Sequence, residues 1–395
     1  MAFALKSQIL VADPAWHRRH DHAYYDKSHY RLQKFVREYA FRRHASLGFL
    51  AVSAFPIHKE YVSGMTLPAG SSVDEWDEFH DAIIIDEMTR CACLGIIWGI
   101  NGGATVGGPP IDRYGTASQK EKYLAPLLRG QQRHCLCVTE PSIGSDVAGL
   151  TTEAKKTADG KSYTINGKKK WVTQGRWADH ALVAARTGPR GAKGISIFIV
   201  PLAVKGISGG KIENRGSVQA FDDVLVPAEN LLGNEDQGFE IIMSTFAHER
   251  LWVGITALRL GRVAYEDSYR NALKRETFGK QLFENQVIRC KFSRMANMLE
   301  PTQAYMEEMV YRSVRMTSLN FSPLAAMLKV QAAHNLEKIS SEAQQVFGGL
   351  GYSRRGQGQR VEQIRRDVRV LVGSGGSEEI LLDMIAKQQR KLAHL

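Results

Sequence analysis

The sequence predicts an α+β protein with three consecutive regions: helical, then β, then helical again. Apolar residues recur at helical spacing up to about residue 128 and again from about residue 236. Between residues 135 and 226 the apolar period changes to two, and turn dipeptides separate short β-prone segments. We therefore expect an N-terminal α-helical domain (1–134), a middle β domain (135–233) and a C-terminal bundle of long helices (234–395).

The N-terminal helices are predicted from amphipathic stripes and acidic first turns. The stretch Tyr30–Tyr39 places its apolar residues on one face. A second helix is predicted to begin at Asp74, where acidic residues suit a helix N-terminus. The segment Gly107–Gly115 contains three glycines and two prolines and is predicted to break the helical region. Another helix is expected from Ser118 to Leu128.

In the middle region, turns are predicted at Asp159-Gly160, at Asn166-Gly167 and at Gly188–Gly191. The strands that these turns separate include Tyr163–Ile165, Lys170–Thr173 and Gly194–Val200. After this region, a long helix is predicted to open at Asp236 and to run past Ala272. The later helices are predicted at Gln286–Leu319, Pro323–Gln345 and Ser377–Lys391.

The composition argues against a disordered, fibrous or membrane-spanning protein. With 395 residues, 44% hydrophobic and 24% charged, the chain resembles a soluble globular enzyme with more than one core. No apolar run approaches the roughly 20 residues of a membrane span. The five cysteines include the pairs Cys91/Cys93 and Cys135/Cys137. Because this spacing suits zinc poorly and both pairs lie in apolar runs, we predict buried structural thiols, no metal site and a reducing compartment.

The net charge of +11 indicates either nucleic acid or phosphorylated small molecules as partners. No aromatic residues for base stacking are interleaved with the arginines near the C-terminus, which favours phosphate over nucleic acid. This arginine-rich region comprises Arg354, Arg355, Arg360, Arg365, Arg366 and Arg369.

One segment points to a planar cofactor. In Cys137–Asp146 a β-prone run ends at Pro141 and continues through small residues with free N–H groups and hydroxyls. The later segment Lys170–Thr173 adds an indole and another hydroxyl. Small donors beside a large flat ring suit a hydrogen-bond-accepting cofactor such as a flavin.

Three later segments are candidates for phosphate, cofactor or oxyanion contacts. Arg275–Lys280, with Gln286 beyond it, can meet a pyrophosphate, although a helix C-cap at Gly279 explains it equally well. Gln344–Tyr352 carries glycines where backbone can approach a cofactor, or it is an ordinary glycine-terminated helix. Gly373–Ile380 is a glycine-rich loop that opens a helix, which is a ready oxyanion site.

In this order and spacing, these segments resemble the acyl-CoA dehydrogenase family over about residues 25 to 390. The resemblance implies FAD lying between a β-barrel or sandwich domain and a C-terminal four-helix bundle. It also implies an FAD site shared between the subunits of a homodimer or homotetramer. On the same grounds the flavin contacts are Val138, Thr139, Gly144, Ser145, Trp171 and Thr173, together with Ser377 and Glu379. The residues implied to reach a neighbouring subunit's FAD are Arg275, Thr277, Phe278, Gln286, Gln345, Gly348 and Gly349.

The usual catalytic base of this family is missing from its usual place. Most members resembling it carry a glutamate eight residues beyond the Asp of Arg-Asp, and counting from Asp367 reaches Gly375. Isovaleryl and long-chain members carry the glutamate on the long helix before an arginine, and Glu249-Arg250 matches that arrangement. Glu249 also falls on an apolar stripe, where desolvation raises a carboxyl pKa. Pairing of Glu249 with an arginine is the structural alternative, and His248 is expected on the helix surface.

The resemblance implies α,β-desaturation of an acyl-CoA, with Glu249 removing the α-proton and the β-hydride passing to flavin N5. The backbone N–H of Gly375 would hold the thioester oxygen, and Ser145 and Arg250 would contact the substrate. One alternative is an oxidase or oxygenase of the same fold, which acts on a non-CoA or secondary-metabolite substrate with O2 as acceptor. A basic flavoprotein that binds DNA is a third hypothesis, which the charge permits.

The electron acceptor and the cell compartment are predicted from weaker sequence features. An electron-transfer flavoprotein or O2 is the expected electron acceptor, and fatty acid metabolism is the expected context. Arg18 and Arg19 weakly suggest mitochondria, but Asp13 and Asp21 oppose this. The terminal Ala393-His-Leu395 resembles a relaxed peroxisomal signal or is an arbitrary tail. We therefore predict a peroxisomal or cytoplasmic protein.

Overall fold

The computed structural model describes residues 48–52, 59–62, 64–65, 67–212 and 216–393. The predicted helix at Tyr30–Tyr39, the Arg18-Arg19 pair and the last two residues lie outside this part. The described residues divide into two compact units, one made of those within Asp77–Leu94 and Ala247–Leu395 and the other of those within His44–Trp76 and Gly95–Phe246. We name the first the helical unit and the second the sheet unit.

The long helices and the strands are as follows. The helices are α1 (Glu78–Thr89), α2 (Leu94–Tyr114), α3 (Gly238–Lys274), α4 (Gln286–Ser313), α5 (Ser318–Phe347), α6 (Gln359–Gly373) and α7 (Glu378–Ala393). The strands are β1 (His134–Cys137), β2 (Glu153–Lys156), β3 (Ser162–Thr173), β4 (His180–Arg186), β5 (Ile195–Pro201), β6 (Ile207–Lys211), β7 (Gly216–Pro227), β8 (Leu231–Leu232), β9 (Glu276–Thr277) and β10 (Lys280–Gln281).

The sheet unit is built on one mixed eight-stranded sheet. Its order is β6-β7-β3-β2-β4-β5-β8, and β1 pairs with β4 in parallel. The alternating inward residues of β3, β4 and β5 form its core with Phe221 and Val224 of β7. This alternation is the period of two that predicted the β region.

Asn166-Gly167 is not a turn, which corrects the sequence prediction. The two predicted strands Tyr163–Ile165 and Lys170–Thr173 are parts of the single strand β3. The register against β7 shifts between Ile165 and Gly167, so the dipeptide is a β-bulge. A side chain at Gly167 would approach Thr152 Oγ1 to 2.5 Å, which explains the glycine.

The segment Gly107–Gly115 does not break the helical region either. Helix α2 continues through Pro109 and Pro110 to Tyr114. A Cβ at Gly103 would lie 2.3 Å from the carbonyl oxygen of His134, and one at Gly107 would lie 2.8 Å from His134 Cβ. The glycines therefore allow a close approach of α2 to β1, and this packing holds a sequence of low helix propensity as helix.

Other helix boundaries differ in detail. The helix predicted from Asp74 begins at Glu78 after the N-cap Asp77, whose carboxylate accepts from the N–H groups of Phe79 and His80. The predicted helix from Ser118 to Leu128 is present, with a π-helical turn at Lys120–Leu124.

In the helical unit, α5 packs against α4, α6 and α7. Helix α1 packs against α4, and Arg259 of α3 donates from Nε to Asp86 Oδ1 of α1 at 2.8 Å. Helix α6 is absent from the predicted elements, and arginines are frequent in its sequence. Its buried stripe of Val361, Ile364 and Leu371 nevertheless has helical spacing.

The cysteine prediction is correct for one pair only. Cys135 and Cys137 are buried in β1, whereas Cys91 is exposed. Among the described residues no group of histidine, cysteine and carboxylate side chains could hold a metal ion. A search of the same residues finds no helix with the length and apolar character needed to span a membrane.

Candidate active site

The Cys137–Asp146 motif forms a tight turn held beside β3. The N–H of Glu140 donates to the carbonyl of Ile143 at 2.9 Å, and the reverse bond is 3.3 Å long. The N–H of Lys170 donates to the carbonyl oxygen of Thr139 at 2.8 Å. The structure therefore brings together the two segments that predict a flavin site.

A buried ion pair fixes this turn. Lys169 Nζ donates to Glu140 Oε1 at 2.9 Å and to the carbonyl of Val138 at 3.0 Å, and both side chains are almost fully buried. Thr151 and Thr152 donate their N–H groups to the same carboxylate, each at 2.8 Å. Burial opposes ionisation of Glu140, but the Lys169 ammonium and these hydrogen bonds outweigh it and lower the carboxyl pKa to about 2.

Three of the six predicted flavin contacts of the sheet unit lie on an open surface, whereas Val138 is buried and Thr139 and Thr173 are half-buried. Gly144, Ser145 and Trp171 are exposed, with Trp171 at 51%. No atom outside the neighbouring residues lies within 4 Å of a Cβ built on Gly144. Trp171 has the unusual φ of 62°. An exposed indole in a strained conformation, beside accessible N–H groups, is suited to a planar ligand.

The Arg275–Lys280 segment is a hairpin rather than a helix C-cap. Strands β9 and β10 pair across Phe278 and Gly279, whose φ values of 53° and 73° indicate a type I′ turn. The Phe278 side chain is 97% exposed. The Thr277 hydroxyl is buried and, among the described residues, has no hydrogen-bond partner.

The hairpin lies beside the glycines that end α5. Arg275 Nη1 donates to the carbonyl oxygen of Phe347 at 3.0 Å. Gly348 ends the helix with a φ of 62°, and a Cβ on Gly349 would meet nothing within 4 Å. Gln286 and Gln345 are exposed. Two of the three later segments predicted from the sequence are therefore neighbours.

Glu249 is a carboxylate without a partner in the described part of the chain. It lies on α3 between the buried residues Arg250 and Ala247, and none of the described residues donates a hydrogen bond to it. Burial raises the pKa of Glu249, against the opposing effects of Arg250, Lys329 and His248. A carboxyl group with a raised pKa is closer to the value that a general base needs near neutral pH.

Arg250 does not neutralise Glu249 through an ion pair. Its Nε donates to the carbonyl oxygen of Gly375 at 2.9 Å, and its Nη1 donates to Ser322 Oγ at 2.6 Å. Gly375 has a φ of 65°. The N–H of Gly375 donates no hydrogen bond to any described residue. The side chain next to the candidate base therefore holds the loop that carries the candidate oxyanion donor.

Sequence reasoning missed several residues around these groups. Lys329 of α5 donates from Nζ to the carbonyls of Val372 and Gly376. His248 is not on the surface as expected, because its Nε2 lies 3.1 Å from Asp81 Oδ2 and only 11% of its side chain is exposed. In the Lys168-Lys169-Lys170 run, the alternation of β3 indicates that the middle lysine faces opposite to its neighbours.

The arginine-rich region has less free charge than the sequence suggests. Arg360 donates to Asp267, Arg366 to Glu362, and Arg369 pairs with Glu337. Three of its six arginines are thus in ion pairs within the helical unit.

Comparisons with known proteins identify the family. The acyl-CoA dehydrogenase N-terminal, middle and C-terminal domain families match residues 20–131, 135–222 and 236–389. Acyl-CoA dehydrogenase AFT10-1 of Alternaria alternata is 40% identical, over 99% of this chain and 98% of that protein. The chain belongs to the acyl-CoA dehydrogenase family. Acyl-CoA dehydrogenase apdG of Emericella nidulans is 36% identical, over 98% and 96% of the two chains.

A solved structure agrees with this assignment. Butyryl-CoA dehydrogenase from Megasphaera elsdenii superposes with a TM-score of 0.82 and 27% identity, covering 92% of this chain and 98% of that one. The predicted fold class, the FAD cofactor and the enzyme class, an FAD-dependent acyl-CoA dehydrogenase, are confirmed. The predicted domain boundaries and the roles of individual site residues stay predictions.

The residues present fit FAD. In the sheet unit, the open backbone at Gly144 and the exposed ring of Trp171 are groups that a flavin would cover. Taken by itself, the helical unit offers the buried Thr277 hydroxyl, which has no partner among the described residues, the open backbone at Gly349 and the exposed ring of Phe278, and these suit an FAD nucleotide. When bound, FAD supplies an acceptor for the hydride that leaves the β-carbon.

Proposed function

We propose that Glu249 is the base that removes the α-proton of an acyl-CoA thioester. The observation that supports this most strongly is the commitment of Arg250 to Gly375 and Ser322, while no described residue hydrogen-bonds to the Glu249 carboxylate. A base that is partly desolvated and not neutralised by an ion pair retains its affinity for a proton. The α-proton goes to this carboxylate, and the product is the trans-2-enoyl thioester.

Gly375 supplies the complementary electrophilic group. Its N–H has no acceptor among the described residues, and a donor aimed at the thioester oxygen stabilises the charge that develops as the α-proton leaves. A backbone donor needs no side chain, so this role is compatible with glycine at the position where most resembling members carry their glutamate. Ser145 and Arg250 are proposed substrate contacts.

The FAD site is shared between two copies of the chain. Phe278 is 97% exposed at the tip of the β9–β10 hairpin, and a fully exposed aromatic ring with positive φ is unusual in an isolated subunit. Arg275 and the hairpin lie beside Gly348 and Gly349, so one surface combines a guanidinium, a ring and open backbone. This surface would contact the FAD of a partner in a homodimer or homotetramer.

The test is anaerobic bleaching of the bound flavin by a panel of straight, branched and aromatic acyl-CoAs. We expect at least one of them to bleach the wild type. Glu249→Gln should bind FAD normally and lose bleaching by a factor of about 10³ or more, since it cannot accept the proton. Glu240→Gln, on the exposed first turn of the same helix, is the matched control and should bleach normally.

Two results would contradict the proposal. Unchanged bleaching in Glu249→Gln would remove this residue from the mechanism. Indifference of the wild type to every acyl-CoA, with oxygen consumed on a non-thioester substrate, would favour the oxidase or oxygenase alternative. Reoxidation of the reduced enzyme by O2, compared with an electron-transfer flavoprotein, distinguishes the two predicted acceptors.

A further inference from the structure

We propose that Lys329 is a positioning residue for the reaction, which holds the 372–376 segment so that the N–H of Gly375 faces the substrate's thioester oxygen. This inference rests on the proposed role of Gly375. Lys329 Nζ donates to the carbonyl oxygen of Gly376 at 2.8 Å and also to that of Val372. The two acceptors lie on either side of Gly375.

Lys329 and Arg250 together fix three carbonyl groups of one short segment. Arg250 Nε donates to the carbonyl oxygen of Gly375 itself. The carbonyl groups of Val372, Gly375 and Gly376 are therefore all hydrogen-bonded to cationic side chains. Because each peptide unit is planar, fixing its carbonyl oxygen also fixes the direction of the N–H in the same unit. The peptide N–H of Gly376 is set in this way by Arg250, and Lys329 secures the backbone on both sides of Gly375.

The segment needs this support because its own conformation is unusual. Gly375 and Gly376 have φ values of 65° and 112° and lie between the end of α6 and the start of α7. Two consecutive glycines leave a backbone with many accessible conformations. Lys329 is 1% exposed and its two hydrogen bonds are partly buried, so water competes for them less than at the surface.

Lys329 also contributes charge at the site. Burial and Arg250 lower the pKa of Lys329 to about 8, whereas Glu249, Glu378 and Glu379 oppose that shift. Conversely, Lys329 is one of the cations that limit the rise of the Glu249 pKa. The buried Lys329 ammonium therefore has two effects: it holds the backbone beside the proposed oxyanion donor, and its charge acts on the proposed base. A residue that only filled space would need neither the charge nor the donors.

The test compares Lys329→Met and Lys329→Arg with the wild type and with Lys338→Gln, an exposed lysine on the same helix. The Met side chain keeps the approximate length and removes the donors. The first measurement is anaerobic flavin bleaching by the acyl-CoA that reduces the wild type fastest. We expect the limiting rate of Lys329→Met to fall about 10²-fold, a loss typical of a misplaced catalytic group, with little change in half-saturation. The control should behave as wild type.

The second measurement separates positioning from stability. The 3-thia analogue of the same acyl-CoA has sulfur at the β-position, so it can lose its α-proton but no hydride. The pH titration of its long-wavelength absorbance with the flavin reports how well the bound enolate is stabilised. We expect the apparent pKa of the bound analogue to rise by about one unit or more in Lys329→Met. Lys329→Arg, which keeps charge and donors, should recover part of both losses.

Wild-type bleaching rate and wild-type analogue pKa in an FAD-loaded Lys329→Met would overturn the inference. If that variant does not retain FAD, Lys329→Gln, which lacks the charge and is too short to reach both carbonyl groups, decides by the same two readings, and wild-type values in both would overturn the inference. Failure of the proposed function has a different signature, because the wild type itself would then not be bleached by acyl-CoAs.

Discussion

Arg250 and Gly375 are joined by a hydrogen bond of 2.9 Å from the guanidinium Nε to the backbone carbonyl oxygen. The bond connects the residue next to the candidate base on α3 with the loop between α6 and α7. The two halves of the proposed chemistry, proton removal and stabilisation of the thioester oxygen, are therefore mechanically connected. This connection is compatible with the proposal that the base lies on a helix while the loop supplies the oxyanion donor.

The first prediction concerns this connection. Arg250→Lys keeps the positive charge but cannot donate to Gly375 and Ser322 in the planar geometry of a guanidinium. We expect flavin bleaching by acyl-CoA to slow about 10²-fold, with FAD content preserved. Arg270→Lys, in an exposed pair with Glu266 on the same helix, is the control and should have no effect. Equal rates in both variants would show that the loop does not depend on Arg250.

Gly375→Ala tests the conformation of the loop. The φ of 65° is costly for any residue with a Cβ, whereas the space itself is adequate, since the nearest atom is Arg250 Cγ at 3.4 Å. We expect a loss of about 1–2 kcal/mol in the free energy of unfolding, measured by denaturant titration. Gly210→Ala, at an exposed strand position with ordinary φ and open space, should change stability little.

The same backbone strain at Gly375 predicts what happens when the carboxylate is moved from position 249 to position 375. The double variant Glu249→Gln with Gly375→Glu places a carboxylate where most resembling family members have it. Because the loop conformation disfavours a side chain there, we expect bleaching to stay far below that of the wild type. Recovery of most of the wild-type rate would indicate that the loop accommodates glutamate and that the base position is freely exchangeable.

Much of this architecture is predictable because it depends on local patterns. The change of apolar period from 3.6 to two marks the sheet, and small donors beside Trp171 mark the cofactor surface. The errors occur where tertiary packing decides. Gly107–Pro110 looks like a helix break, yet α2 passes through it because its glycines pack against His134. Asn166-Gly167 looks like a turn and is a bulge in β3.

The candidate site also contains residues that the sequence predicts and residues that only the structure reveals. Glu249 is accessible to sequence reasoning through its apolar stripe and its family motif. Lys329 is not, because its acceptors are backbone carbonyls 43 and 47 residues away, and no sequence pattern specifies a carbonyl. The predicted cell compartment, electron acceptor and oligomeric state stay predictions.

The buried Lys169–Glu140 pair yields another prediction. Lys169→Met leaves a carboxylate buried without its cation, so we expect a loss of about 3–5 kcal/mol in stability and weaker retention of FAD. Lys168→Met, one position earlier on the exposed face of β3, is the matched control. Thermal unfolding and flavin content measure both effects. Equal stability of the two variants would mean that the pair contributes nothing beyond an exposed lysine.

The Glu140 pKa determines the pH below which the Lys169–Glu140 pair stops stabilising the fold. A carboxyl whose folded pKa is about 2 and whose ordinary pKa is 4.5 stabilises the fold fully above pH 4.5, and the benefit is lost as the pH falls towards 2. We therefore expect a steep decrease in the free energy of unfolding below pH 4.5. In Glu140→Gln this part of the pH dependence should be absent, and a slope as steep as in the wild type would assign it to other groups.

His134 gives a further prediction, in a higher pH window. Its ring is fully buried, neither ring nitrogen has a hydrogen-bond partner among the described residues, and it packs edge-on against His180. Burial, with a smaller contribution from His180, lowers the pKa of His134 from 6.5 to about 3. Because the unfolded chain binds the proton more readily, stability is highest above pH 6.5 and is lost as the pH falls from there towards 3.

At pH 5 the loss from His134 alone amounts to about 2 kcal/mol, since each pKa unit corresponds to about 1.4 kcal/mol. His134→Phe keeps a planar ring and removes both nitrogens, so its free energy of unfolding should fall about 2 kcal/mol less than that of the wild type between pH 7 and pH 5. Urea titrations at the two pH values measure the difference. A wild type that gains stability on acidification, or a variant with the same slope, would mean that His134 is not forced to stay neutral. The close packing of Gly107 on His134 Cβ makes that charge hard to hydrate, which is why we expect the slope to belong to this residue.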